Sequence, residues 1–426
     1  MEKIELINYR CFKHLPLSFK TKVNLLIGDN ASGKTTLMRA LSAVLNSFFI
    51  GYSDENTRFF GLSKDDFTIA HTNTGLAYEL PITINFRIFG IDATLELRSK
   101  KGRTLQTPLL PIAYFANKLY EELFNDHYQQ INPLPLFAGF STNDIHSSRK
   151  ISPELFKKYD HKPSFGYYEC LQGDGFLPYW TKRLLILKEA NKGAIEIENV
   201  TEAIKNALGQ SGCNIISNIS IRHNQGKVYY IFTDSREVDT ENLSDGYTRL
   251  VNIVVDIAFR CALLNGGLYG SAACLFTTGT VLIDEIDLHL HPTLQSVVLN
   301  GLQRAFPSLQ FIVTTHAPMV MTGIPVNNDN IIYKLSYTEA NGYQATTKEL
   351  YGLDASTIME LALNTIPRSK EVKTRLDNLF DLIDKEQYTI ATDILIKMQH
   401  EFGDKLPELA KAEAMLNFLN IDNDKD

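Results

Sequence analysis

Apolar residues in this chain form short unbroken runs as well as helical patterns. Residues 23–27 (VNLLI) and 280–283 (TVLI) are largely apolar or β-branched, and a third run begins the stretch 309–318. Such runs predict strands buried in a parallel sheet. Helical spacing follows the first run at Leu37, Leu41, Val44 and Leu45. The pattern therefore predicts a strand that leads directly into a helix.

The middle of the chain is predicted to be a helical insertion over 119–214, between two lobes at 1–118 and 215–350. It contains "LYEELFNDHYQQ" and "LPYWTKRLLILKEANKG", which are typical of helices. Heptads do not persist over three or four repeats, which excludes a long coiled-coil arm. The basic stretch 147–162 in this insertion is either a solvated helix face or a DNA contact.

The last part of the chain, 351–426, is predicted to be a helical tail. Helical spacing appears at Val372, Leu376, Leu379 and Leu382. Residues 387–390 are expected to open a second helix. We therefore expect a helical hairpin that closes the domain or binds a partner.

The turn after the first strand has the pattern of a phosphate-binding loop, because residues 28–35 fit G-x-x-x-x-G-K-[ST] between a strand and a helix. Glycines let the loop approach phosphate oxygens, and backbone N–H groups supply positive charge. Lys34 is expected to reach the β and γ phosphates, and Thr35 to bind Mg²⁺. The predicted nucleotide-binding residues here are Gly28, Asn30, Ala31, Ser32, Gly33, Lys34, Thr35 and Thr36.

The stretch 281–292, "VLIDEIDLHLHP", combines three carboxylates with two histidines, as a metallohydrolase site does. The run that ends at Asp284 has instead the pattern of a strand whose final Asp holds Mg²⁺. Glu285 follows directly and is predicted to polarise a water for attack on the γ phosphate. The residues after it fall in the next loop, and Pro292 is expected to open the next helix.

Two further segments lie on either side of 281–292 in the sequence. "NLSDGYTRL" (242–250) precedes it, and "LQFIVTTHAP" (309–318) follows it. In isolation, Ser244 or Asp245 is often explained as a helix N-cap, and a histidine after a strand, such as His316, is more often structural than catalytic. However, the phosphate loop, 242–250, 281–292 and 309–318 follow one another in a fixed order, and this order favours a functional role. GTPases are excluded because "NKLY" at 117–120 lacks the Asp of a guanine-reading N-K-x-D.

Together, "IELINYRCF", the phosphate loop, "LSDG", "IDEIDLHLHP" and "VTTHAP" resemble the ABC-type ATPases of the RecF, SMC and OLD group. The resemblance implies an α/β fold with a mixed sheet flanked by helices, plus the insertion and the helical tail. It also implies ATP and Mg²⁺ as ligands, and Arg10 as a neighbour of the adenine or ribose.

The same resemblance implies a dimer that encloses two ATP molecules. Ser244 and Gly246 would then cap the γ phosphate bound by the partner, and His316 would sense the γ phosphate. His291 would lie in the loop that faces the partner's active site. Asn117 is the candidate for the glutamine-loop residue of the family.

The tail and "LYGLDASTIMELALNTIPRS" are similar to standalone ATPases of phage-defence loci, such as those of Septu systems and retrons. In that group the partner is a separate HNH-type nuclease. The chain has no Toprim or His-Asn-His pattern after His316, so we expect no intrinsic nuclease. The alternative function is a RecF-like DNA-repair clamp. The motor subunit of a transporter is disfavoured, because the "LSDG" signature of this chain differs from the signature of transporters.

Composition narrows these options. The formal net charge is −7, so bulk charge does not predict nucleic-acid coating, and DNA contact is expected only through a local patch or the complex. The uncharged stretch from Cys261 to Ile283 contains four glycines and predicts a helix end, a glycine loop and a strand rather than a membrane span. Five cysteines without C-x-x-C spacing, and an acidic N-terminus without an apolar core, predict a cytoplasmic protein.

Overall fold

The computed structural model describes residues 1–72, 75–124, 130–141, 162–173, 175–365 and 368–423. They form two compact units, 1–358 and 359–426. The basic stretch singled out above, 147–162, lies outside the described residues except for Lys162.

A six-stranded sheet forms the centre of the first unit. Across the sheet its strands are β15 (Gly342–Thr347), β14 (Ile331–Thr338), β3 (Val23–Ile27), β13 (Leu309–Thr314), β12 (Gly279–Ile283) and β8 (Leu136–Phe140). Five strands run parallel, and β15 is an antiparallel edge. The strands of the predicted runs are buried because helices cover parallel sheets on both faces. The predicted α/β class with a mixed sheet is confirmed.

Three smaller antiparallel sheets complete this unit. The first contains β2 (Phe12–Ser18), β1 (Lys3–Tyr9), β6 (Ile82–Ile88) and β7 (Ile91–Leu97). The others are β11 (Glu237–Asp239), β10 (Lys227–Phe232) and β9 (Ile216–Arg222), and the pair β4 (Thr68–Thr72) and β5 (Gly75–Glu79). Strand β6 alternates buried and half-buried residues, as expected for a sheet with one covered face.

Helices surround the central sheet. In chain order they are α1 (Lys34–Asn46), α2 (Leu110–Phe124), α3 (Leu177–Glu189), α4 (Ala194–Leu208), α5 (Asp245–Tyr269), α6 (Ala273–Phe276), α7 (Pro292–Gln295), α8 (Val298–Ala305), α9 (Pro318–Thr322) and α10 (Ala355–Leu361). Short 3₁₀ turns connect several of them. Helix α5 is the longest and is buried along most of its length.

The second unit is helical, as predicted, but contains three helices instead of a hairpin. They are α11 (Lys370–Asp384), α12 (Tyr388–Phe402) and α13 (Pro407–Asn423). Their core includes Leu379, Met398 and Ala412, one from each helix. The third helix supplies the apolar surface that two helices alone would leave exposed.

The region 119–214 is not purely helical, because β8 lies within it. This strand pairs in parallel with β12 in the central sheet. Its five residues, LFAGF, form a short run that periodicity does not distinguish from a helix segment. In addition, the expected lobe boundary at 118 falls inside α2.

The uncharged stretch from Cys261 to Ile283 contains the end of α5, a turn, α6 and β12, in agreement with the prediction. Among the described residues, the segment Asp245–Phe276 is long and apolar enough to span a bilayer. However, 83% of its most apolar window is buried inside the fold, as is usual for a core helix.

A buried ion pair ties α5 to its surroundings. Asp256 and Arg260 lie one turn apart, with side chains 1% and 2% exposed, and Arg260 Nε donates to Asp256 Oδ2 at 2.6 Å. Trp180 Nε1 of α3 donates to Asp256 Oδ1 at 2.7 Å. Arg260 also donates to the carbonyl oxygens of Gly166 and Tyr168. The pair therefore holds α3 and the segment 163–168 against α5.

Replacing Arg260 by Met should lower the free energy of unfolding by about 3–5 kcal/mol, because the Asp256 carboxylate then stays buried without its charge partner. Chemical denaturation followed by circular dichroism measures the change. Arg98→Met is the matched control, since Arg98 pairs with Glu96 on the surface and its loss should change stability little. Equal losses in the two variants would contradict the role of the buried pair.

Candidate functional site

Three of the parallel strands carry the predicted site residues at their carboxyl ends. Residues 28–35 follow β3, Asp284 follows β12, and Thr315 follows β13. Because these strands are neighbours and run in the same direction, their ends meet at one edge of the sheet. Ligands of open parallel sheets bind at this edge.

The phosphate loop adopts a conformation that requires its glycines. Gly28 and Gly33 have φ angles of 146° and 95°, where side chains are strained. A Cβ atom on Gly28 would lie 2.3 Å from the Leu335 carbonyl oxygen, and one on Gly33 would lie 2.6 Å from the Phe12 ring. Ala31 also has a positive φ, 64°, whereas Asn30 is simply exposed.

Lys34 folds over its own loop. Its ammonium donates to the carbonyl oxygens of Gly28 at 2.7 Å and Asp29 at 2.9 Å, and more weakly to Ser32 Oγ at 3.4 Å. Burial lowers the pKa of Lys34, while the nearby carboxylates of Asp284 and Glu285 oppose this shift. The ammonium therefore lies between the loop and the carboxylates that follow β12, as a phosphate-binding lysine does.

Asp284 is held on both oxygens. Thr35 Oγ1 donates to Oδ2 at 3.3 Å, and Thr314 Oγ1, from the end of β13, donates to Oδ1 at 2.6 Å. The hydroxyl of Thr35 and the carboxylate of Asp284 are oxygen donors of the kind that Mg²⁺ prefers. These two residues therefore fit the predicted metal site. Sequence reasoning did not select Thr314, although it lies within the quoted "VTTHAP".

Glu285 has a left-handed backbone conformation, with φ of 49°. Its N–H donates to Thr314 Oγ1 at 2.7 Å. Arg249 of α5 donates to the carbonyl oxygens of Asp284 at 2.6 Å and Glu285 at 2.9 Å. The two consecutive acids are thus fixed through their main chain, and the Glu285 side chain stays half-exposed, as a residue that contacts a water must.

The rest of "VLIDEIDLHLHP" does not converge on a metal. Asp287 Oδ1 accepts from Thr315 Oγ1 at 2.6 Å and, weakly, from the His316 N–H at 3.4 Å. His289 and His291 are both exposed. Over the parts of the chain that the structure describes, no group of three or more His, Cys, Asp and Glu residues is arranged as metal ligands.

Pro292 begins α7, as predicted, and His291 is its N-cap. The imidazole Nδ1 lies 2.7 Å from Thr293 Oγ1 and accepts from the Thr293 N–H. His316 is half-buried directly after Thr315. Through its contacts with Thr315 and the His316 N–H, Asp287 joins the loop after β12 to the start of the loop after β13.

Ser244 and Gly246 begin α5. Ser244 is the N-cap residue, is exposed, and makes no capping hydrogen bond through its side chain. Gly246 is buried, and a Cβ atom there would lie 2.4 Å from the His289 carbonyl oxygen. In the single chain, Gly246 thus permits a close approach of α5 to the loop after β12.

Arg10 lies at the turn between β1 and β2, next to the phosphate loop. Its guanidinium Nη2 is 2.7 Å from Asp66 Oδ1, and its N–H donates to the Asp66 carbonyl oxygen. Burial raises the pKa of the neighbouring Cys11 thiol. The structure therefore places Arg10 near the loop but already paired with Asp66.

A cavity of about 340 Å³ lies at the predicted metal-binding residues Thr35 and Asp284 and is also lined by Arg39 and Gln172, among others. Gln172 was missed because it lies in a Pro- and Gly-containing stretch far from the other motifs. Asn117, the residue named for the glutamine loop, instead lies exposed on α2 and donates to Glu121. Gln172 is therefore better placed than Asn117 to be the glutamine-loop residue.

A phosphate loop, a carboxylate pair and a parallel sheet are together the features of a P-loop nucleoside triphosphatase. Residues 23–322 match the family described as "AAA domain, putative AbiEii toxin, Type IV TA system". The chain belongs to this family, because the match covers more than half of its length.

The chain is also similar to two bacterial proteins. It is 24% identical to the "Retron Vc95 probable ATPase" of Vibrio cholerae serotype O1 biovar El Tor, over 94% of this chain and 86% of that protein. It is 24% identical to the Septu protein PtuA of Bacillus mycoides (strain KBAB4), over 76% of this chain but only 39% of that protein. These relatives confirm the resemblance stated from the motifs.

Among solved structures, the chain is similar to an SMC head bound to the C-terminal winged-helix domain of ScpA. The sequence identity is 16% and the TM-score is 0.45, with 82% of this chain and 97% of that chain covered.

The Thr314→Val variant should hydrolyse ATP about 10–100-fold more slowly, because Asp284 and Glu285 both lose a partner that orients them. Steady-state hydrolysis at saturating Mg²⁺ measures this. Thr314→Ser is the matched control, since it keeps the hydroxyl and should retain most activity. Equal rates of ATP hydrolysis in Thr314→Val and Thr314→Ser would show that the Thr314 hydroxyl is not the group that orients the two acids.

Proposed function

We propose that this chain is a cytoplasmic, Mg²⁺-dependent ATPase that dimerises around two ATP molecules and controls a separate HNH-type nuclease in anti-phage defence. The observation that carries the ATPase assignment is the arrangement of Asp284, Glu285 and Thr35 beside the phosphate loop. The similarity to retron and Septu proteins supports the defence role.

In the proposed reaction, backbone N–H groups of residues 28–35 cradle the phosphates, and Lys34 shifts from the loop carbonyls to the β and γ phosphates. Thr35 and Asp284 would hold Mg²⁺, which would neutralise charge at the phosphate oxygens. Glu285 orients the attacking water and accepts its proton. His316 follows the adjacent strand β13 and would contact the γ phosphate.

Dimerisation is proposed from the start of α5. Ser244 is exposed and its hydroxyl makes no capping bond, so it is available to a second copy. The N-terminus of this 25-residue helix attracts anions such as a γ phosphate. The Ser244 hydroxyl of one copy would then complete the site of the other.

The tail unit is the proposed surface for the nuclease partner. Ile390, Ile396 and Phe418 are more than half exposed there, whereas the core residues of the three helices are buried. Large exposed apolar side chains are enriched at protein interfaces. No intrinsic nuclease activity is proposed, and DNA would be contacted through the complex.

Glu285→Gln should bind ATP but hydrolyse it at least about 100-fold more slowly, because the amide accepts no proton from the water. ATP and Mg²⁺ should then convert the variant to a stable dimer in light scattering. Lys34→Ala is the control and should stay monomeric, since it loses the phosphate contact. Undiminished hydrolysis by Glu285→Gln would exclude the assigned base.

The chain should co-purify with the product of a neighbouring gene, and the pair should cleave DNA in a nucleotide-dependent manner. Lys34→Ala and wild type should differ in cleavage when assayed with the same partner. A pair that never associates, and cleaves no DNA with any nucleotide, would refute the defence role. ATP-dependent DNA binding by the chain alone would instead support the RecF-like clamp.

A further inference from the structure

Arg249 makes an unusual contact, because it binds main chain at the two reactive acids and not their carboxylates. One guanidinium nitrogen, Nη2, donates to the carbonyl oxygens of both Asp284 and Glu285. The residue is 9% exposed. Its charge-assisted hydrogen bonds therefore act in a largely desolvated position, where they are strong.

The segment that Arg249 holds is strained. Glu285 has φ of 49°, a left-handed conformation that non-glycine residues rarely adopt. Such a conformation persists only where the surroundings fix it. Thr314 Oγ1 accepts from the Glu285 N–H, and Arg249 Nη2 binds the carbonyl oxygen. Both polar groups of the Glu285 main chain are thus bound by neighbouring elements.

A second contact lies on the same face of α5. Gly246 precedes Arg249 by three positions, so both face one side of the helix. The approach at Gly246 is so close that a Cβ atom would lie 2.4 Å from the His289 carbonyl oxygen. His289 itself has a positive φ, 62°. The first turns of α5 therefore contact the loop after β12 at its beginning and again near its end.

We propose that Arg249 is a positioning residue that fixes the Glu285 carboxylate for water activation and links this carboxylate to Ser244 at the start of the same helix. A contact between Ser244 and a nucleotide on a second copy would be transmitted through α5 to the acid that directs hydrolysis. This inference rests on the proposed ATPase function.

Arg249→Met should lower kcat for ATP hydrolysis by about 100-fold, because small displacements of a catalytic group cost this much. The KM for ATP, and the affinity for a fluorescent ATP analogue, should change less than about threefold, since Arg249 touches no phosphate-loop residue in the described contacts. Arg249→Lys should recover part of kcat, because an ammonium still donates to one carbonyl oxygen.

Arg183→Met is the matched control. Arg183 is also a buried arginine, but it pairs with the Glu196 side chain, away from the site. Its replacement should lower the melting temperature as Arg249→Met does, yet leave kcat near that of the wild type. A fall in kcat that merely follows melting temperature in both variants would assign Arg249 a structural role.

Two results separate this inference from the proposed function. If Glu285→Gln abolishes hydrolysis while folded Arg249→Met keeps kcat within about twofold of the wild type, positioning by Arg249 is refuted and the ATPase assignment stands. If Glu285→Gln hydrolyses ATP at the wild-type rate, Glu285 is not the general base, and it is this assignment in the proposed function that is refuted.

Discussion

The hydroxyl of Thr314 is the junction on which the reactive edge of the sheet depends. It donates to the Asp284 carboxylate and accepts from the Glu285 N–H, and so joins the ends of β13 and β12. Thr35 binds the other oxygen of Asp284 and brings the phosphate loop to the same point. The proposed metal-binding residues, the acid beside them and the phosphate loop are therefore set relative to one another by one short network. Parallel pairing of the three strands makes this network possible.

Three residues around this network have strained backbone conformations. Ala31, Glu285 and His289 all have positive φ angles, which non-glycine residues adopt rarely. Thr314 and Arg249 bind the strained Glu285 main chain, and the packing of Gly246 restrains the loop near His289. The energy that stabilises α5 and the sheet therefore also maintains the geometry of the site.

The acids and histidines of "VLIDEIDLHLHP" show why spacing alone misleads. Read as letters, they suggest a single metal centre. In the fold, Asp284 directly follows a strand, Asp287 accepts a hydrogen bond from Thr315, and His291 caps a short helix. Adjacent residues point in different directions at a strand end and through a tight loop, so they serve different neighbours.

The sequence by itself determined the phosphate loop, the strand that directly precedes Asp284 and the helical tail, because each depends on local spacing within one element. Tertiary structure decided the placement of β8 beside β12, the third tail helix, the approach of Gln172 to the metal position and the pairing of Arg10 with Asp66. It also decided that Arg249 holds the two acids. These features join residues far apart in the chain, and a short run such as "LFAGF" carries no periodicity that names its partner. Only packing selects the neighbour of such a segment, since the burial it gains depends on the whole sheet.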